Sequence, residues 1–379
     1  MWGVVRAGLG LLLSAVSTAA VAQPNPSTTA AAPPEDRRVA FVAVPIPISN
    51  EAIGSGLGGV GGFVFSAGEP GSKTPPSLIG GGGGYTSSHT WLAAGAANLL
   101  LGDNRWRLLD AYGHASLHYR WFGTGTDAGN EGQSIPIDQT IRIVLTETLV
   151  RTAWQTFFGA RYLYLGSDVS VGSGVVPPAG LPIPPDVPLP GAGFGIGTHL
   201  IAFRAQRDTR NDRFWPTSGS ELDMTAGGVD ARTANGSNWF QTYQGSGNWF
   251  MAVSPAQTIA ARAMVCGKAG DEIPFFQLCQ FGVQSDLRGY EAGRYRDRVM
   301  FATQAEYRLL LPWRLAVALF GGVGEVAPRA SAINTANLLP AGGVGLRFSL
   351  SSQYRVNYRV DYAWGKNGGT LIVSLGEAF

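Results

Sequence analysis

The feature that most constrains this chain is a strict alternation of polar and apolar side chains over long segments. Residues 353–364 show it most clearly. One face carries Gln353, Arg355, Asn357, Arg359 and Asp361, and the other carries Tyr354, Val356, Tyr358, Val360, Tyr362 and Trp364. A period of two residues is that of a β-strand, in which successive side chains point to opposite faces. The alternation therefore predicts β-structure with one polar face and one aromatic-rich face.

Two further segments, 109–121 and 300–309, repeat this alternation. In the first, Asp110, Tyr112, His114, Ser116, His118 and Arg120 alternate with Leu109, Ala111, Gly113, Ala115, Leu117, Tyr119 and Trp121. In the second, Gln304, Glu306 and Arg308 lie opposite Phe301, Ala305, Tyr307 and Leu309. Alternation alone fits a soluble sandwich as well as a membrane barrel. In a barrel, we expect the polar faces to line the lumen and the apolar faces to meet lipid.

Strand length and composition favour the barrel. The alternating segments are longer than the roughly five or six residues usual in globular sheets, and they suit a tilted crossing of a bilayer. Charged residues make up only 14% of the chain, against a usual share of about 25%. After residue 22 no apolar run of about 18 residues exists that could form a membrane helix. The net charge of +2 is too small to suggest nucleic-acid binding.

The predicted fold is all-β: a 16-stranded antiparallel transmembrane β-barrel. The strands are predicted near residues 38–47, 55–66, 77–86, 91–101, 105–121, 139–151, 154–166, 198–208, 219–230, 238–252, 257–267, 298–311, 314–324, 339–350, 353–365 and 369–379. Short links alternate roughly with long ones, as periplasmic turns alternate with surface loops in outer-membrane barrels. An even number of strands places both ends of the barrel on the periplasmic side.

The N-terminus predicts export. Arg6 precedes an apolar stretch at 7–16, and Ala20-Val21-Ala22 is a small-residue cleavage site. We therefore expect a signal peptide at 1–22, a disordered lead-in at 23–37 and an outer-membrane barrel at 38–379.

One predicted surface loop, 268–297, carries a recognisable motif. The segment Phe281-Gly282-Val283-Gln284-Ser285-Asp286-Leu287-Arg288-Gly289-Tyr290 lies before the strand predicted at 298–311. Its Leu287, Arg288, Gly289 and Tyr290 resemble the sixth-loop signature of the BamA/TamA superfamily of outer-membrane barrels, the bacterial surface antigen type. The motif also stands between the eleventh and twelfth predicted strands, where that family places it. The resemblance implies a long surface loop folded into the lumen.

Two more segments support the resemblance. The sequence Asp208-Thr209-Arg210-Asn211-Asp212-Arg213-Phe214-Trp215-Pro216-Thr217-Ser218-Gly219 is similar to the family's Asp-rich turn between the eighth and ninth strands. The C-terminal Phe379, on the strand predicted at 369–379, is similar to the C-terminal signal that barrel-assembly machinery recognises. The resemblance implies a bacterial outer-membrane location.

The resemblance also implies partners for Arg288. In the family, the loop arginine contacts acidic residues on the inner wall of the next two strands. Glu306 is well placed on the first of these, and we predict an Arg288–Glu306 contact as the main latch. On the second, an aspartate common in the family is replaced by Gly322, so one expected partner is missing.

The function that the resemblance implies is outer-membrane protein assembly, translocation or membrane remodelling. The expected partners are outer-membrane lipid, barrel-assembly machinery acting on the C-terminal strand, and a client polypeptide or a separate periplasmic protein. Family members carry soluble POTRA domains before the barrel, and residues 23–37 are too few for one. The alternative is a passive channel or a structural surface protein. Pro45 and Pro47, which cannot donate ladder hydrogen bonds, favour a weak seam between the first and last strands.

Other chemistry is not indicated. His114 and His118 lie about 13 Å apart on a strand, too far to share a metal, and we expect them to line the lumen. Asp110, His114 and Ser116 lie on one strand, so we expect no enzyme, metal or cofactor. Cys266 and Cys279 are the only cysteines, and in an oxidising compartment a disulfide between them is expected.

Overall fold

The computed structural model describes residues 39–65, 76–172, 193–233, 236–282, 286–349 and 357–379. The predicted signal peptide and lead-in lie outside the described residues, as do residues 353–356. Within the described ranges, no helix is long and apolar enough to span a membrane.

Sixteen strands within these ranges form one closed antiparallel barrel. They are β1 (Val39–Asn50), β2 (Gly54–Phe65), β3 (Ser77–Thr86), β4 (Trp91–Leu101), β5 (Trp106–Trp121), β6 (Ile135–Arg151), β7 (Thr156–Val171), β8 (Gly193–Asp208), β9 (Gly219–Thr233), β10 (Gly236–Ser254), β11 (Gln257–Ala269), β12 (Val299–Leu310), β13 (Leu315–Ala327), β14 (Leu339–Ser349), β15 (Asn357–Gly365) and β16 (Gly368–Leu375). Strands adjacent in sequence are adjacent in the barrel, and β16 closes it against β1. The predicted 16-stranded fold is confirmed.

The turn between β4 and β5 is very short. Between β4 and β5, Gly102, Asp103 and Asn104 all have positive φ angles, of 56°, 54° and 60°. Gly lacks the Cβ that opposes this conformation, and the short polar side chains of Asp and Asn tolerate it. By analogy with outer-membrane barrels, the end of the barrel that carries this turn is the periplasmic end.

Strands β12 and β15 have the predicted orientation. Gln304, Glu306 and Arg308 on β12 are buried in the lumen, as are Arg359 and Asp361 on β15. The alternate residues of β15 are exposed on the outside; they are Val360, Tyr362 and Trp364. These strands therefore present aromatic side chains to lipid and charged side chains to the interior.

On β5 the predicted orientation is wrong. Leu117 and Trp121 are buried inside the barrel, whereas His114 and His118 lie on the outward face, so these histidines do not line the lumen. The reason is that the loop between β11 and β12 packs Phe275 against this wall, 5.8 Å from the Trp121 ring. The apolar side chains of β5 are therefore buried between the wall and the loop.

The neighbouring strand β6 has the same inverted orientation. Ile137 and Ile141 are buried inside, and Asp138 and Arg142 face outward. On the outer surface, His118 Nε2 lies 3.6 Å from Asp138 Oδ1. This part of the wall therefore has the amphipathic pattern of a soluble sheet.

The last strand is shorter than predicted. β16 ends at Leu375, and Gly376, with a φ angle of 81°, turns the chain inward. Phe379 therefore lies in no strand and is only 8% exposed. The prediction of a strand reaching 379 is wrong in these last residues, because alternation does not reveal where the ladder ends.

Candidate functional site

The lumen loop, defined as the described residues 270–282 and 286–298 between β11 and β12, folds back into the barrel. A disulfide joins Cys266 on β11 to Cys279 in the loop, with 5.8 Å between their Cα atoms. This is the pairing expected from the sequence. Beyond the disulfide, Cys279–Gln280 pairs antiparallel with Arg296–Asp297. This short pairing joins the two arms of the loop near its base, where the disulfide anchors it to β11.

The loop carries Arg288 to the centre of a charged cluster in the lumen. Its guanidinium donates to Glu306 Oε2 at 2.6 Å, Asp361 Oδ2 at 2.7 Å and Gln304 Oε1 at 3.1 Å. The Arg288 Cζ atom also lies 3.4 Å from the centre of the Phe320 ring. A buried guanidinium needs such acceptors and such a flat surface, because its donors point outward in a rigid plane. These contacts form the latch of the lumen loop.

The two latch carboxylates are shared with three wall arginines. Arg308 Nε donates to Glu306 Oε1 at 2.6 Å, and Arg347 Nη1 donates to Asp361 Oδ1 at 2.5 Å. Arg347 Nη2 lies 3.3 Å from Glu306, and Arg359 Nε lies 3.4 Å from Asp361. All of these side chains are buried. Each carboxylate therefore has several cationic neighbours in a low-dielectric interior, which compensate its desolvation.

Sequence analysis missed Asp361 as a partner of Arg288. The family resemblance placed the second carboxylate on β13, where this chain has Gly322, and β13 supplies only the Phe320 ring. The second carboxylate comes instead from β15. The alternation over 353–364 had already put Asp361 on the polar face, but which lumen side chain it reaches depends on barrel geometry.

The other motif residues seat the loop against the wall. Gly289 has a φ angle of 110°, and a Cβ there would lie 2.8 Å from the carbonyl oxygen of Trp364. Only glycine allows this approach. The Tyr290 hydroxyl donates to the carbonyl of Pro340 at 2.6 Å, and Leu287 is fully buried. The motif thus fixes the loop by backbone fit as well as by charge.

Further contacts hold the outer part of the loop. Arg120 on β5 forms a bidentate pair with Glu291, at 2.6 and 3.1 Å. Burial raises the pKa of Glu291, and the Arg120 charge opposes this rise. Tyr295 packs on the short helix α1 (Thr126–Glu131) at Gly129, and its hydroxyl donates to Asn367 at 2.6 Å. The lumen loop and α1 thus lie together at the end of the barrel opposite the turn between β4 and β5.

The Asp-rich turn between β8 and β9 lies at the periplasmic end. Asp208 pairs with Arg210 at 2.9 Å, and Asp212 accepts hydrogen bonds from the backbone N–H groups of Phe214 and Trp215 at 2.7 and 3.0 Å. The turn directs Trp215 to the wall, where the Arg308 Cζ atom lies 5.5 Å from its ring centre.

The outward polar residues of β5 form no comparable site. Asp110 accepts a hydrogen bond from Thr146 at 2.8 Å, and His114 packs edge-on against Trp91 at 5.0 Å. In the described part of the chain, no three His, Cys, Asp or Glu side chains are grouped so that they could hold a metal ion.

A closed antiparallel barrel with aromatic side chains outside and an arginine-latched loop inside is the architecture of a bacterial outer-membrane barrel. Residues 197–376 match the model of the Omp85 superfamily domain. The structural matches below show that the chain shares its fold with the barrels of BamA and CdiB.

Solved structures with this fold include BamA from Haemophilus ducreyi lacking POTRA domains 1–3. It has a TM-score of 0.58 and 12% identity, and the match covers 96% of this chain and 76% of that chain. CdiB from Acinetobacter baumannii matches with a TM-score of 0.55 and 11% identity, over 89% and 60% of the two chains. CdiB from Escherichia coli matches with a TM-score of 0.55 and 11% identity, over 91% and 62%. No curated protein matches the sequence.

Proposed function

We propose that this barrel acts, without enzymatic chemistry, in outer-membrane protein assembly, translocation or membrane remodelling. The working site in this proposal is the seam between β1 and β16, where a client strand or lipid would enter. The observation that carries the proposal is the weakness of that seam. BamA and CdiB, whose fold this chain shares, add support from likeness alone.

The seam is the least paired junction of the barrel. β1 pairs with β2 along its whole length, from Val39 to Asn50. Against β16 it has a single register pair, Ser49 with Val373. Ladder hydrogen bonds hold neighbouring strands together, so this junction opens at a lower cost than any full ladder.

Two prolines in β1 account for the weak pairing. Pro45 and Pro47 have no N–H group to donate to a neighbouring strand. Side-chain bonds partly replace the ladder: Tyr358 donates to the carbonyl of Pro45 at 3.0 Å, and Ser49 donates to the carbonyl of Leu371 at 3.3 Å. Such isolated bonds close the barrel and leave backbone groups of both edges available to an added strand.

The filled lumen supports this proposal over a passive channel. The latch, the disulfide and the aromatic contacts of Phe275 hold the lumen loop inside the barrel. A protein that only conducts solutes would gain nothing from such a plug, whereas a barrel that works at its seam must keep its lumen sealed.

The test is a covalent tether across the seam, made by the double substitution Ser49→Cys and Val373→Cys. Opposed residues of antiparallel strands lie about 4.5–5.5 Å apart, within the range that a disulfide spans. In cells that depend on this protein, we expect the tether to lower the amounts of other outer-membrane proteins to those found when this protein is depleted. A reductant should restore them.

The matched control places the same new cysteine across a complete ladder. Val360 is the register partner of Val373 on β15, so Val360→Cys with Val373→Cys tethers β15 to β16 and leaves the seam free. Full activity of the seam-tethered protein would contradict the proposal.

The client is identified by quantitative proteomics of the outer membrane after depletion. Loss of other barrels indicates assembly, and loss of one defined surface protein indicates translocation. An unchanged proteome would favour the channel or structural alternative.

A further inference from the structure

After β16 the chain enters the lumen as a short tail, defined here as residues 376–379. The Gly376 N–H donates to the carbonyl of Asn357 at 2.8 Å, which fixes the inward turn. Ala378 is only 5% exposed. The tail therefore crosses the periplasmic end of the barrel instead of extending the ladder along β1.

The acidic side chain of the tail is bound by two wall residues. Arg347 Nε donates to Glu377 Oε2 at 3.0 Å, and Asn357 Nδ2 donates to Glu377 Oε1 at 2.9 Å. The Glu377 side chain is only 4% exposed. Two donors on different strands thus hold one carboxylate, as in a binding site for an acidic side chain.

The aromatic side chain of the tail occupies an apolar pocket two residues further on. Phe379 packs with Phe250 on β10 and Ala260 on β11, both buried. Arg308 Nη2 donates to the main-chain oxygen of Phe379 at 3.0 Å, and its Cζ lies 5.7 Å from the ring centre. The wall therefore recognises a carboxylate and an aromatic ring at a fixed spacing.

The site is larger than the tail that fills it. A cavity of about 210 Å³ adjoins it, lined in part by Arg347, Asn357 and Trp215. Two buried donors nearby, Trp215 Nε1 and Arg308 Nη1, have no hydrogen-bond partner among the described residues. Buried donors without acceptors are costly, so this region favours an additional acceptor group.

We infer that the lumen contains a polypeptide-binding site, here filled by the protein's own tail, that recognises a carboxylate side chain two residues before an aromatic one. The site comprises Arg347, Asn357, Arg308 and Phe250. A segment of the same chemistry from another polypeptide displaces the tail. This site goes beyond the proposed function and does not depend on it, because its binding is defined for the isolated protein.

The site is connected to the latch. Arg347 and Arg308, which hold the tail, also contact Glu306, which holds Arg288. Exchange of the tail for another segment therefore changes the partners of the same arginines that anchor the lumen loop.

The test measures peptide binding to purified protein in detergent. The variant Glu377→Ala with Phe379→Ala removes both side chains of the tail and leaves the wall intact. The probe is a fluorescent hexapeptide, Ser-Leu-Gly-Glu-Ala-Phe, whose sequence is that of residues 374–379. We expect this variant to bind the probe at least about tenfold more tightly than the unaltered protein, since the tail no longer competes.

Two controls define specificity. The peptide Ser-Leu-Gly-Gln-Ala-Ala should bind the double variant at least about tenfold more weakly than the probe does. Adding Phe250→Ala to the double variant should lower its affinity for the probe by a similar factor. Folding is checked by the heat-dependent electrophoretic mobility of the barrel. The single variant Glu377→Ala, which keeps Phe379, is the alternative host if the double variant does not fold.

The inference is overturned if the probe shows no saturable binding to the folded double variant. Equal affinity for both peptides also overturns it, as does equal affinity of the unaltered protein for the probe. The seam tether described above leaves this binding unchanged, so failure of the inference and failure of the proposed function are distinguishable.

Discussion

Arg288 takes its two carboxylate partners from strands that are not neighbours. Glu306 lies on β12 and Asp361 on β15, with β13 and β14 between them. Because the guanidinium is planar and presents its donors in fixed directions, two carboxylates on separated strands define both the position and the orientation of the loop. A single partner would fix its position only.

Replacement of Glu306 by Gln should release the lumen loop. It removes one negative charge that Arg288, Arg308 and Arg347 share, and leaving a buried charge unpaired costs about 3–5 kcal/mol. We expect faster protease cleavage within residues 286–298 and a lower urea midpoint of unfolding. Asp361→Asn should act in the same direction, because Asp361 also contacts Arg288 and Arg347.

The control for this prediction is Asp230→Asn. Asp230 pairs with Arg232 at 2.7 Å on the outer surface, where the Arg232 side chain is 65% and the Asp230 side chain 31% exposed, and such pairs contribute little to stability. Cleavage rates in Glu306→Gln that match those of the control would show that Glu306 does not hold the loop.

The residue-level prediction from sequence was right about the first carboxylate and incomplete about the second. Glu306 was found because strand alternation and motif position agreed on it. Asp361 was on the predicted polar face, but its distance from Arg288 depends on the curvature and register of the closed barrel. Local sequence carries no information on either.

At the scale of strands, β5 and β6 are inverted relative to β12 and β15. Alternation predicts that a strand has two different faces, but it does not say which face is inside. On β12 and β15, the loop brings charge to the wall, so the polar face is inside. On β5 and β6, the loop brings aromatic rings to the wall, so the apolar face is inside. The face that lies inside thus matches the part of the loop that packs against it.

A cysteine at position 118 should therefore react from outside. We expect His118→Cys in whole cells to be labelled by a membrane-impermeant maleimide, and Leu117→Cys, one residue away on the inner face, to be protected. The two native cysteines are joined in a disulfide and give no background. Labelling of position 117 in preference to 118 would restore the lumen-facing orientation first predicted for the polar face.

Alternation also does not show where a strand ends, which explains why the last strand was wrongly predicted to reach residue 379. Leu371, Val373 and Leu375 continue the alternation on the outer face, and nothing in that pattern marks residue 375 as the end of the ladder. The glycine at 376 permits the inward turn but does not require it. The attraction of Glu377 to Arg347 decides the path, and this partner is remote in sequence.

At the scale of the whole molecule, the sixteen-stranded closure was predictable and the filled interior only partly so. Strand count follows from periodicity and turn spacing, which are local. How much of the lumen the loop fills depends on Phe275, Tyr295 and α1, whose contacts lie far apart in sequence. The strands close the barrel, and these long-range contacts fill its lumen.

A filled lumen should conduct poorly. In planar bilayers we expect the unaltered protein to pass little ionic current, and Arg288→Ala to pass severalfold more, because loss of the latch lets the loop move. Arg232→Ala, at an exposed surface pair, should leave the current unchanged. Equal currents for Arg288→Ala and the unaltered protein would mean that the remaining contacts keep the lumen closed without the latch.

The disulfide has a consequence for the order of assembly. Both cysteines precede, along the chain, every residue that binds Arg288: Gln304, Glu306, Phe320 and Asp361 all follow Cys279. Bond formation between Cys266 and Cys279 needs none of the last five strands. The base of the lumen loop can thus be fixed by its disulfide before the barrel closes. We expect the last five strands to assemble around a loop that is already in place, and not the loop to enter a closed barrel.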